Sequence, residues 1–275
     1  ARSNRAILYV KVGQREFFRG TNRLSVAYYH RAPTGISIMT IDSQTTRLTR
    51  FEQLSEELIL LRSVLDTLSW DQETMMPPQG GAFRARQMST LSAFHHQKLT
   101  DPSLGELLDR LQDADLELWP KAAVRELGRD RDKAMQLPER LVRELAETTS
   151  LAYEAWVQAR GNSDWPQFSP WLEKILRLKR EEARCLQKSD SLYDALLDHY
   201  EPDMTVQELD PLFAVLRPRL TELLTQIQAS GRQPDPELLK GHFPAAGQQD
   251  FGRQVLSAMG FQWEAGRLDR SPHPF

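Results

Sequence analysis

The chain has 275 residues, of which 40% are hydrophobic and 27% charged, and a formal net charge of -3. That is the composition of a globular protein long enough to bury a sizeable core, and it gives no electrostatic case for nucleic acid or an anionic membrane as a partner. No apolar run reaches the roughly 18 residues that cross a bilayer, and the single cysteine, Cys185, excludes an intrachain disulfide and favours a reducing compartment.

Residues 1–38 differ from the rest of the chain. They carry Arg2, Arg5, Lys11, Arg15, Arg19, Arg23 and Arg31 against one acid, Glu16, with no sustained helix or strand period. Met39 is the first methionine. The preferred reading is translation upstream of a start at Met39; an Arg-rich organelle leader and an authentic extension are the alternatives. The chain is therefore divided into a basic segment, 1–38, and a helical part, 39–275.

From Met39 the periodicity is helical. Phe51, Leu54, Leu58, Leu61, Leu65 and Leu68 are spaced 3, 4, 3, 4, 3, one apolar stripe on a long helix ending near Trp70. Met75 to Gly81 breaks it, because two prolines and two glycines cannot continue a helix. Asp101-Pro102 supplies an N-cap and a proline at the first helical position. Arg125, Arg129 and Arg131 alternate with Glu126, Asp130 and Asp132, as on a helix surface laced with ion pairs. Pro138 opens a helix with Leu141, Leu145, Ala152 and Trp156 on one side, and Asp164-Trp165-Pro166 opens the next. Asp194, Asp198 and Glu201 form an acidic strip, expected to be a solvated face. Thr205 to Glu208 is a capping box, and a helix with Phe251, Val255 and Leu256 stops at Gly260. The fold class is all-α, with long helices joined by short Pro/Gly loops.

The chemistry is sparse. None of the six histidines is followed by Glu, so the zinc-protease motif H-E-x-x-H is absent. That motif needs two imidazoles four residues apart facing one metal, with the Glu placed to take a proton from bound water. His95 and His96 are adjacent and diverge by about 100° on a helix. Asp71 and Glu73, two apart, diverge likewise. Cys185 reads as a structural thiol, with no His near it in sequence.

One run carries more. Leu68-Ser69-Trp70-Asp71-Gln72-Glu73-Thr74-Met75-Met76-Pro77 resembles the L-x-W-D-Q-E-T-x-M-P signature of the carboxypeptidase Taq family of zinc metallocarboxypeptidases. Leu99 to Pro102, Phe168 to Glu173, Tyr193 to Asp198, Tyr200-Glu201-Pro202-Asp203-Met204-Thr205, and Gly266 to Phe275 come in the family's order. The ending His273-Pro274-Phe275 matches the family's H-P-F motif, and the resemblance spans about residues 45–275.

The resemblance implies a helical metallopeptidase with a deep groove, homodimeric, using zinc or another divalent metal to release residues from peptide C-termini. The metal would bring the pKa of its bound water from about 15.7 towards 7. His273, Pro274 and Phe275 would belong to the active-site neighbourhood. Trp70, Asp71, Gln72 and Glu73, with Tyr200, Glu201, Pro202, Met204 and Thr205, would be groove wall or scaffold. The family's metal motif would lie beyond H-P-F, so this chain alone is expected to bind no metal and to be inactive. The expected location is cytoplasmic, or an organelle if 1–38 is a leader. A second reading is a short helical binding or dimerisation module, supported by the Phe51–Leu68 stripe.

Overall fold

A computed structural model describes residues 44–187, 189–232 and 235–272. Nine α-helices occur among the described residues and no strand does, so the all-α expectation holds. The chain divides into two compact units, one of residues 48–242 and the other of the residues outside that span. The basic segment 1–38 and Met39 lie outside the described residues.

In the larger unit, α1 (Gln44–Thr74) buries Phe51, Leu58 and Leu65, one residue in seven along the expected stripe. Leu54 and Leu61 between them, and Leu68 beyond, are half-buried. The helix runs a turn past Trp70, because the first proline is Pro77 and nothing before it denies the helix its hydrogen bonds. It closes on the Asp71 carbonyl, which accepts from the amides of both Met75 and Met76 at 2.8 Å. The helices α2 (Gly81–Leu99) and α3 (Pro102–Gln112) come next. Asp101 caps α3 as its sequence demands, accepting from the Ser103 amide at 2.8 Å. Leu104, Leu107, Leu108 and Leu111 of α3 join Phe51, Leu58 and Leu99, and Val124 and Ala134 of α4 (Leu118–Gln136), in the main core cluster.

The next helix, α5 (Glu139–Asn162), begins after Pro138, packs against α2, and ends at Ser163 in the left-handed conformation, φ 55°. Asp164 then caps α6 (Trp165–Leu186), accepting from the Gln167 amide at 3.2 Å. A short α7 (Leu192–Leu197) leads through a turn to α8 (Val206–Ala229). The capping box is formed: Thr205 Oγ1 accepts from the Glu208 amide, and the Glu208 carboxylate accepts from the Thr205 amide at 2.9 Å.

In the smaller unit, α9 (Ala245–Ala258) stops where expected, with Gly260 at φ 83°. Trp263 folds back onto this helix: its indole N–H donates to Ser257 at 2.9 Å and Arg253 lies over its ring at 4.3 Å. Among the described residues no helix is long and apolar enough to cross a membrane.

Candidate functional site

The W-D-Q-E run occupies the last turns of α1, and each of its polar residues has its own partner there. Asp71 pairs with Arg84 of α2 at 2.5 Å. The Arg84 side chain is only 11% exposed and also donates to the Leu68 carbonyl and, at 3.1 Å, to Gln87. One guanidinium thus closes the α1–α2 corner, gripping both a carboxylate and a backbone carbonyl of α1. Gln72 reaches Ser150 in the middle of α5: its amide donates to the Ser150 carbonyl, and the Ser150 hydroxyl donates back to the Gln72 carbonyl, both at 2.9 Å.

Glu73 stands beside the Tyr153 phenol, whose pKa is pushed well up by burial and by that carboxylate, so the phenol stays protonated. Tyr153 packs against Trp156, ring centres 5.9 Å apart, and Arg160 lies over the Trp156 ring at 5.1 Å. Asp71 and Glu73 therefore diverge as expected, one to α2 and one to α5. They do not form a proton-sharing pair.

The neighbouring Glu154 sends its carboxylate to the first residue of α2. A Cβ at Gly81 would stand 1.8–2.0 Å from three atoms of that carboxylate, so the glycine is what admits it. Glu154 Oε1 is buried without a hydrogen-bond partner, and burial pushes the carboxyl pKa up.

The second run, Tyr200 to Thr205, is held by other elements. Asp198, just before it, receives Arg129 at 2.8 Å and Lys133 at 2.5 Å, both from α4, and accepts from the Asp203 amide at 2.9 Å. Arg129 also pairs with Asp203, which is in the left-handed conformation at φ 68°. Burial disfavours the Asp198 charge, but Lys133, the Asp203 amide and Arg129 outweigh it and hold the carboxyl well below the usual carboxylate range.

Next to it, His199 contacts the buried Glu182 of α6 at 3.2 Å, and Lys179 reaches the other Glu182 oxygen at 2.6 Å. Asp194 accepts from the Val206 amide at 3.0 Å. The acidic strip is thus no solvated face: two of its three members are spent on tertiary bonds. Arg129 likewise leaves the expected α4 surface, where Arg125 pairs with Glu126 at 2.6 Å. Tyr200, Glu201 and Pro202 stand exposed, Tyr200 at 83%, while Met204 and Thr205 are half-buried.

His273, Pro274 and Phe275 lie outside the described residues. His95 and His96 are half-buried on α2, and burial pushes both imidazoles towards the neutral form. Among the described residues no group of three or more His, Cys, Asp or Glu is arranged to hold a metal ion. The donor set among the described residues does not fit a catalytic metal. The pairings made by Arg84, Ser150, Tyr153, Glu154 and Gly81 carried no signal in the sequence, since the partners lie up to 78 residues away.

Comparison with known proteins completes the picture. The family model of the carboxypeptidase Taq (M32) metallopeptidases matches residues 50–275. Thermostable carboxypeptidase 1 of Thermus thermophilus is 39% identical over 250 residues, which cover 86% of this chain and 48% of that protein. Carboxypeptidase 1 of Bacillus subtilis is 33% identical, over 83% of this chain and 44% of that protein. The solved structure of Trypanosoma cruzi metallocarboxypeptidase 1 superposes with a TM-score of 0.65 at 32% identity, over 84% of this chain and 48% of that one. The chain thus spans about half the length of the relatives it matches. The W-D-Q-E corner and the pinned Y-E-P-D-M-T turn fall inside the matched span, and the chain belongs to the carboxypeptidase Taq (M32) metallopeptidase family.

Proposed function

We propose that residues 44–275 supply the helical frame of a metallocarboxypeptidase that releases amino acids from peptide C-termini, and that the 275 residues by themselves hold no catalytic metal. The observation behind this reading is the conjunction of a family match over residues 50–275 with a sequence that lacks H-E-x-x-H. The relatives named carboxypeptidase support the activity. In this reading the metal, zinc or another divalent ion, is held by residues outside these 275. The W-D-Q-E and Y-E-P-D-M-T runs act as scaffold, because Asp71 and Gln72 of the first and Asp203 and Thr205 of the second are committed to bonds that join or cap helices. His273, Pro274 and Phe275 border the site, and the working form is a homodimer in the cytoplasm.

The test compares two samples. The native product containing these residues, captured from its source, should release C-terminal amino acids from blocked dipeptides in a chelator-sensitive way. The recombinant 275-residue chain should do neither that nor retain stoichiometric metal by elemental analysis. A native product without such activity would overturn the peptidase reading. One tightly held zinc per recombinant chain, with hydrolysis, would overturn the division of labour.

A further inference from the structure

The start of α2 has no cap of its own. Gly80, before it, offers no side chain to the first amides, and no acidic residue lies in the first turn. The order of that turn therefore depends on what packs against it. Glu154 of α5 stands there, its carboxylate filling the notch that Gly81 leaves. It does not replace the cap: the amides of Phe83 and Arg84 bond the Gly80 carbonyl, and Glu154 Oε1 is buried with no hydrogen-bond partner.

No cation answers the charge. On α2, Arg84 is committed to Asp71 and the Leu68 carbonyl of α1, and Arg86 lies over the Phe83 ring at 5.4 Å. On α5, Arg160 lies over the Trp156 ring. On α6, Lys174 and Arg177 are drawn to Glu144. The remaining acid at the end of α1, Glu73, stands beside the Tyr153 phenol. Burial alone acts on the Glu154 carboxyl, and it pushes the pKa up.

A neutral carboxyl suits such a notch and an unpartnered carboxylate does not. Glu154 is half-buried, so rotation about its own bonds carries an ionised end to water. We propose that Glu154 is a proton-operated latch on α2: neutral, it seats in the Gly81 notch and closes the first turn of α2 onto α5; ionised, it swings out and frees that turn. The proton comes from solvent and returns to it. The sign follows from the raised carboxyl. The seated form is fullest below the ordinary glutamate pKa of about 4.3 and declines as pH rises through the higher pKa of the seated group.

Amide exchange at Phe83, Arg84 and Ala85 in the 275-residue chain reads the latch. His95 and His96 titrate on the same helix, so the parent is compared with Glu154→Gln at each pH, which cancels their contribution. Glutamine copies the shape of the neutral carboxyl and cannot ionise. At pH 7 these amides should exchange about threefold or more faster in the parent than in Glu154→Gln, and at pH 4.5 the two should agree to within about 1.5-fold. Gly81→Ala fills the notch, so in that background the difference between Glu154 and its glutamine variant should vanish at both pH values. Far-ultraviolet circular dichroism should be the same for all four proteins. A parent-to-variant ratio that is equal at pH 7 and pH 4.5 overturns the proposal, and so does a pH-dependent difference that survives Gly81→Ala.

Discussion

Glu154 and Gly81 form a pair in which one residue's shape exists for the other. A glycine in the first turn of a helix is normally a loss of about 1 kcal/mol against alanine. Here the missing Cβ is the space the carboxylate fills. Gly81→Ala alone should therefore leave stability within about 0.5 kcal/mol of the parent, because the propensity gain is offset by swinging the end of the flexible Glu154 side chain out of the way. In a Glu154→Ala background the same substitution should stabilise by about 1 kcal/mol, since only the propensity gain remains. A denaturant cycle over the four proteins measures the coupling, and additivity would refute the contact. None of this could be read from the sequence, where Gly80-Gly81 registers only as a helix break and Glu154 as one more acid on a polar helix face. What the sequence did carry at this scale is local chemistry. The Asp101, Asp164 and Thr205 caps and the Gly260 stop are complete within a few residues, so each formed where its own residues placed it.

At the scale of elements, the decisive interactions join segments far apart in the chain. The turn into α8 is held by Asp198 through Arg129 and Lys133 of α4, residues the sequence offers only as members of charge runs. Asp198→Asn should cost about 1–2 kcal/mol near neutral pH. That is less than for a fully buried pair, because Asp203, on the far side of Arg129, is open to solvent. The sign with pH comes from the depressed carboxyl: the stabilisation is complete above the unfolded carboxylate pKa and is lost as pH falls through the folded one. The asparagine variant should thus differ from the parent at pH 7 and converge with it in strong acid. Urea midpoints at several pH values check this, and a difference that stays constant with pH would refute it. Helix existence and phase were legible from the 3.6 period, whereas partner choice was not. The period says which face of α1 is apolar but not that Gln72 belongs to Ser150.

For the whole molecule, the half-buried histidines of α2 bear on how stability responds to mild acid. Burial lowers the affinity of His95 and His96 for protons in the folded state. For His95, repulsion from Arg62 adds to burial while Asp130 opposes it. Folding then releases protons from both side chains, so stability declines as pH drops below about 6.5, before the carboxylates begin to titrate. His95→Gln should flatten the part of the stability curve between about pH 6.5 and 5, with little change in far-ultraviolet circular dichroism. An unaltered slope would place the acid sensitivity elsewhere. The all-α class and the family were legible at this scale because they depend on patterns summed over long spans. The cross-chain assembly was not, because it depends on which distant surfaces meet.

The bond between Gln72 and Ser150 also has a consequence in time. During synthesis the corner at the end of α1 is made early, while its partner on α5 is translated 78 residues later. At 5–20 residues per second that separation is roughly 4–16 s. Through that interval Gln72 waits alone, since Arg84 follows Asp71 by 13 residues and Phe51 and Leu58 gain their α2 and α3 neighbours once residue 111 is made. The α1 end is thus completed in two stages, first against α2 and only later against α5, so the Gln72–Ser150 bond closes an arrangement already begun.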